Sequence, residues 1–306
     1  MSTRQRAPKL SIVAVFHNMR REAPRTLQSL SPPYQQNVDS ADYEIIAVDN
    51  GSSSPSFDPA TSSPKHIKLL NNPSPTPSPA SAVNWGVLNS SAEYVGILID
   101  GARMASPGLL HLAMECLVRH APAVVSTVGF HLGPDVQTRS QLRGYDQYVE
   151  DQLLEKINWV ENGYKLFENS TLAGSSLTSW LHTTLESNLL FMPRAVFDDI
   201  GGLDESFRYP GGGFVNLDFY KRAAERLDVE LFSLLGEATF HQFHGGVMAN
   251  RPAPKVPAEL ERYRAEYLAI RGDDYAAPTR RPKLHGFARP ETIPWILKSA
   301  QVLLED

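Results

Sequence analysis

Cysteine is almost missing. Cys116 is the only one in 306 residues, which excludes an intrachain disulfide and leaves a small apolar side chain inside a helical pattern. Long apolar runs are missing as well. The run closest to the N-terminus, Leu10 to Phe16, falls far short of the roughly 20 residues a membrane span needs and is too short for a signal segment. The expectation is a cytoplasmic chain without a transmembrane segment. Positive charge is not in excess: 29 Lys and Arg stand against 34 Asp and Glu, a formal net charge of -5. No global basic field therefore points to nucleic acid or an anionic membrane. The residues after the first apolar run read FHNMRRE, so the glycine-rich phosphate loop expected of a nucleotidyltransferase is lacking too. What is present, 42% hydrophobic and 21% charged residues, is the composition of an ordinary globular protein.

The apolar pattern alternates between two kinds of element. KLSIVAVF (Lys9 to Phe16) and YEIIAV (Tyr43 to Val48) are β-branched runs bounded by polar residues, as buried parallel strands are. Between them Glu22 to Leu30 suits a helix, with Pro24 in its first turn. Residues 51–64 and 71–81 are too rich in Ser and Pro for a sheet and read as loops. Ala82 to Leu88 suits a short helix, and Tyr94 to Ile99 a strand ending at Asp100. Ser106 is positioned to cap a helix begun by Pro107, whose apolar face runs from Leu109 to Val118; Ala123 to Val128 is a further strand. This alternation predicts an α/β layer structure with a mostly parallel sheet.

Beyond residue 131 the pattern weakens, although Tyr148 to Val160 suits a helix. A short helix follows Pro193 and stops at Gly201 and Gly202, and Asn216 is positioned to cap the next. Val229 to Leu235 and Ala238 to Phe243 read as two strands. Ala258 to Ile270 and Ile293 to Leu304 are the helices of a tail. Three parts are expected: 1–130, 131–249 and a helical extension at 250–306. Trp85, Trp159 and Trp180 suit core packing better than sugar stacking.

Asp49 in VDNGSS and Asp100 in LIDGARM fall at the carboxyl ends of strands, where open α/β sheets bind ligands. A carboxylate there accepts hydrogen bonds from a base or ribose; its other role is to open a turn. The ordered stretches SIVAVFHN, VDNGSS, NWGVLNSSAEYVGILIDG and GGLDESF resemble the landmarks of glycosyltransferase family 2 over residues 9 to about 245. The resemblance implies a GT-A fold, α/β and Rossmann-like, and an enzyme that moves a sugar with inversion from a nucleoside-diphosphate sugar to a hydroxyl. It implies a glycan or glycolipid acceptor, as in bacterial-type polysaccharide assembly. It places Val15, Phe16, His17 and Asn18 along the nucleobase, Asp49 and Asn50 at the base, Asn84 near the donor, and Asp100 with Gly101 and Arg103 at the ribose and diphosphate.

Two elements depart from that pattern. The second Asp of the family's D-x-D falls on Ala102. Either Asp100 still serves a divalent cation, Mg²⁺ or Mn²⁺, which one or two carboxylates plus phosphates can hold, or Arg103 takes its place as a fixed cation. The resemblance also brings a late histidine to the metal. His241 and His244 are three apart, so they reach one ion only if the chain turns at His244, as Gly245 and Gly246 permit. The family's Glu-Asp-x-Asp falls on Val215, Asn216, Leu217 and Asp218, so its acidic pair is gone. Asp218, in the first turn of its helix, is the candidate base, with Glu186 and Asp204 as alternatives. Gly211, Gly212 and Gly213, with Asn216, suit close approach by an acceptor. A module of the same fold that binds nucleotide sugar or carbohydrate without transfer is the other reading, motivated by Ala102, Val215 and Asn216.

Overall fold

A computed structural model of the chain describes residues 7–57, 64–178, 180–246 and 256–305. The first six residues, and residues 58–63 of the first Ser/Pro-rich stretch, lie outside the described residues. The opening unit is β1 (Leu10–Phe16), α1 (Glu22–Ser29), β2 (Tyr43–Asp49), β3 (Ile67–Asn71), α2 (Ala80–Leu88) and β4 (Tyr94–Leu98). Then come β5 (Arg103–Ala105), α3 (Leu109–Arg119), β6 (Ala123–Leu132), α4 (Gln137–Ser140), α5 (Gln147–Ile157), β7 (Ser170–Leu172) and β8 (Leu189–Pro193). The remainder is α6 (Arg194–Asp199), α7 (Val215–Ala224), β9 (Glu230–His241), α8 (Val256–Arg271), β10 (Lys283–Gly286) and α9 (Ile293–Glu305).

These strands form one sheet in the order β10-β9-β6-β8-β4-β1-β2-β3, with β5 beside β9 and β7 beside β6. The pairs β1/β2, β1/β4, β2/β3, β6/β9 and β9/β10 are parallel. The sheet is thus mostly parallel, as the alternation predicts. The exceptions are β8, which runs antiparallel between β4 and β6, and the short β5 and β7, antiparallel to β9 and β6.

Strand periodicity explains the layers, because successive side chains point to opposite faces. Leu10, Ile12, Ala14 and Phe16 of β1 pack with Ala23 of α1 and with Leu109, Leu110, Ala113, Cys116 and Leu117 of α3. Val13 and Val15 pack the other way, with Ala82, Val83 and Val87 of α2 and, further along that face, Phe219 of α7 and Tyr263 and Tyr267 of α8. A third cluster of aromatics, Phe130, Phe167, Trp180 and Phe240 among them, is closed by Trp295 and Ile296 of α9. Trp180 and Trp159 are buried, in agreement with core packing. The Cys116 thiol is buried too, and burial with the nearby acids Glu115 and Glu230 pushes it up to about 12. Among the described residues no helix is long and apolar enough to cross a membrane.

Four local expectations change. Ser106 does not cap α3, which begins at Leu109; its hydroxyl donates instead to the buried Glu237 at 2.5 Å, and Glu237 accepts the Gly108 amide at 3.2 Å. Val118 is exposed rather than on the apolar face. The two strands expected between Val229 and Phe243 are one, β9, which passes through Gly236 at φ +84, where a Cβ would lie 2.2 Å from the Phe287 carbonyl oxygen. Asn216 lies inside α7 rather than at its cap, Phe214.

Candidate functional site

Asp100 follows β4, at the carboxyl end of the sheet. The turn after it is bonded to β1: the Gly101 amide donates to Val15 O at 2.8 Å, and Thr26 Oγ1 donates to Gly101 O at 2.6 Å. A Cβ at Gly101 would lie 2.4 Å from the Phe16 ring, so only glycine lets the turn sit this close. The chain then enters β5, whose Arg103 lies opposite His241 of β9.

β9 ends at His241, and the next residues bend back over Asp100. His241 Nε2 lies 3.0 Å from Asp100 Oδ2, and His244 Nε2 lies 3.8 Å from Oδ1. One ligand atom of each of these residues can lie within 4.8 Å of the others. An oxygen and two imidazole nitrogens at that spacing suit a first-row divalent cation. Burial pushes Asp100 up, yet His244, His241 and Arg103 outweigh it and hold the carboxyl well below its usual range. Burial drives His241 down to about 4 against the pull of Asp100.

Arg103 is 6% exposed, and its Nε and Nη1 have no hydrogen-bond partner among the described residues. Its Nε stands 3.7 Å from Asp100 Oδ2. Burial lowers its affinity for the proton, while Asp100 and Glu186 act the other way. Its Nη1 converges with Ser176 Oγ and Asn188 Nδ2 over Gly129, where a Cβ would lie 3.4, 3.5 and 3.6 Å from these atoms. A buried guanidinium without acceptors is costly unless an anion or water completes it.

Glu186 reaches the same end of the sheet because Leu189, three residues on, pairs with Leu98 at the end of β4. Its carboxylate accepts from neutral donors, Ser175 Oγ at 3.0 Å and Asn216 Nδ2 at 2.8 Å. Asn216 thus belongs to this site through its side chain.

Other expected residues are placed elsewhere. Asp218 is buried, and both its oxygens are held by arginines: Arg271 Nε and Nη2 at 2.7 and 2.8 Å and Arg222 Nε at 2.7 Å. Asp204 accepts from Arg271 Nη1 at 2.8 Å in the same cluster. Burial pushes Asp204 up, but Ser206 and Arg271 pull it below the usual carboxylate range. Asn84 grips Leu203, donating to its carbonyl at 2.9 Å and accepting its amide at 3.1 Å, far from an open role at a donor. Gly211 donates to Pro77 O at 3.1 Å, and side chains at Gly212 and Gly213 would strike Val215 and Glu266, so this loop approaches its own chain closely.

Of the residues expected along a nucleobase, Val15 and Phe16 are core residues, Phe16 meeting Phe57 edge-on at 5.0 Å. His17 and Asn18 are exposed. Asp49 is buried and accepts the Ser52 and Ser56 amides at 2.8 and 3.1 Å; those bonds overcome burial and hold it below its usual range. Asn50 ties this loop to Thr76 and Asn72. Gln137, Ser176 and Asn188 are site residues that sequence reasoning missed. None lies in a periodic pattern, and Gln137 meets His241 across 104 positions of chain.

No family model and no curated protein matches this sequence. Solved structures do. Staphylococcus aureus TarS 1–349 in complex with UDP-GlcNAc is 12% identical with a TM-score of 0.50, over 85% of this chain and 66% of that one, just under two thirds. The mannosyltransferase PcManGT from Pyrobaculum calidifontis, in complex with GDP-Man and Mn²⁺, is 14% identical with a TM-score of 0.50, over 98% of this chain and 75% of that one. Both are GT-A structures, and the chain described here has the GT-A glycosyltransferase fold.

Proposed function

We propose that this chain is a glycosyltransferase that moves a sugar from a nucleoside diphosphate to a hydroxyl of a glycan or glycolipid, with inversion. The observation that carries the reading is one convergence. At the carboxyl end of the sheet an ionised Asp100 with two imidazoles and a buried guanidinium, two of whose nitrogens lack hydrogen-bond partners among the described residues, face Glu186, a carboxylate with neutral partners. The likeness to structures solved with UDP-GlcNAc and with GDP-Man and Mn²⁺ supports it.

Asp100, His241 and His244 are the residues that would hold a divalent cation. Such an ion neutralises charge on a leaving diphosphate. Arg103 adds fixed N–H donors for the same charge, already desolvated and needing no reorganisation. Glu186 takes the proton of the acceptor hydroxyl as its oxygen bonds to the anomeric carbon and the bond from that carbon to the diphosphate oxygen breaks. Asn216 and Ser175 orient the carboxylate. His17 and Asn18 form the nucleobase edge.

Incubation with UDP- and GDP-sugars, with and without EDTA, tests the proposal. At least one donor is expected to be hydrolysed or transferred, with the rate falling on the order of a hundredfold or more in EDTA. Failure of every donor to bind or turn over sinks it, and binding without turnover favours the non-catalytic module. Arg103→Met is expected to lower kcat by roughly 10²–10³-fold, as removing one preorganised donor does elsewhere. A kcat unchanged in that variant removes Arg103 from the diphosphate.

A further inference from the structure

The hydrogen bonds of Gln137 decide which nitrogen of His241 carries the proton. Gln137 is fully buried at the start of α4. One end of its amide lies 2.9 Å from the main-chain oxygen of His241 and the other 2.7 Å from His241 Nδ1. A carbonyl oxygen only accepts, so the amide nitrogen must face it. The amide oxygen therefore faces Nδ1 and, being an acceptor, requires a proton there. The reversed amide would set two oxygens 2.9 Å apart.

With Nδ1 carrying the proton, Nε2 of the neutral ring presents a lone pair. That lone pair faces Asp100 Oδ2, another acceptor, at 3.0 Å. Two facing acceptors repel unless a proton or a metal ion lies between them. The spacing suits a metal ion, because adjacent ligands on an octahedral cation with bonds of about 2.1 Å lie about 3.0 Å apart. The Gln137 main-chain amide also donates to His131 Nδ1 at 3.0 Å, and the His131 ring lies against that of His241 at 5.3 Å. One residue thus holds the ring from its far edge and seats the tilted imidazole beside it.

We infer that Gln137 is a positioning residue that commits the His241 proton to Nδ1, leaving the Nε2 lone pair beside Asp100 for a divalent cation. The inference rests on the reading that Asp100, His241 and His244 bind such an ion. It assigns the affinity of that site in part to a side chain that touches neither ion nor substrate, as outer hydrogen bonds to ligating histidines do in general.

The test is Mn²⁺ binding to the whole chain without nucleotide, followed by the loss of the free-ion signal in electron paramagnetic resonance. Gln137→Leu removes the acceptor and frees the ring to place its proton on Nε2, toward Asp100. Affinity is expected to fall roughly ten- to a hundredfold. Gln137→Glu, with one oxygen protonated toward the His241 main-chain oxygen and the other left to accept from Nδ1–H, reproduces both bonds of the amide and is expected to stay within about threefold of the parent. A merely structural role would weaken both variants alike, and that result overturns the inference, as does Gln137→Leu binding like the parent. Should Gln137→Leu not fold, ¹⁵N spectra of the unsubstituted, metal-free chain decide: a proton on Nδ1 of His241 is expected, and an Nδ1 without a proton overturns the assignment. A parent chain that binds no Mn²⁺, or binds it equally well as Asp100→Ala, overturns the metal reading itself.

Discussion

Glu186→Gln is expected to cut kcat by about 10²–10⁴-fold, the usual contribution of a general base, while leaving nucleotide-sugar affinity intact. That loss corresponds to roughly 2.7–5.5 kcal/mol of transition-state stabilisation. The substitution is clean because the network survives it. Asn216 Nδ2 still donates to the retained amide oxygen, and the new amide group can donate to Ser175, whose hydroxyl accepts as well as donates. What disappears is the ability to take a proton. Turnover with the best donor, set beside donor binding by calorimetry, separates the two effects. Activity within about threefold of the parent would show that Glu186 is not the base. A parallel loss of donor affinity would place it on the donor side instead.

The fold was largely legible because the buried strands carry period-two patterns and the helices between them carry amphipathic ones. Lys9 to Phe16 and Tyr43 to Val48 lie within a residue of β1 and β2. β8 was missed because LLFMP is a short apolar run with no alternation to show; it is buried through Met192 between β4 and β6. β3, β5 and β10 were missed because they are short and, at β3 and β10, half-exposed or exposed. The split expected at Gly236 had a real cause, a left-handed residue, but pairing of β6 on both sides of the bend carries the strand through.

The residues that meet at the carboxyl end of the sheet were legible where the information is local. A strand-end Asp, a glycine turn after it, and two histidines before Gly245 are features of short segments. The roles of Asp218 and Glu186 depend on what distant residues do. An acid in the first turn of a helix reads the same whether an acceptor or Arg271 faces it, and Arg271 is 53 positions away. Gln137 is the extreme case, since both its informative contacts reach His241 across 104 positions.

Asp218→Asn carries the second large effect, and it is one of stability. The carboxylate joins α7 to the end of α8 through Arg271, and Arg222 extends the cluster to the carbonyls of Ile200 and Gly202. Removing its charge leaves two guanidinium groups facing a neutral amide, one of whose ends is a donor. Breaking a buried ion pair from one side costs about 3–5 kcal/mol. Both arginines keep 27% of their side-chain surface exposed, so water recovers part of that, and about 3 kcal/mol is the expected loss. For a chain of this size the melting temperature should drop by roughly 5 °C. If the carboxylate is structural, the variant assayed well below that temperature keeps kcat within about threefold. A base would give the opposite pair of results, an intact melt and a kcat lower by a hundredfold or more. Melting and turnover measured on the same preparation therefore decide which of the two carboxylates, Asp218 or Glu186, faces the acceptor.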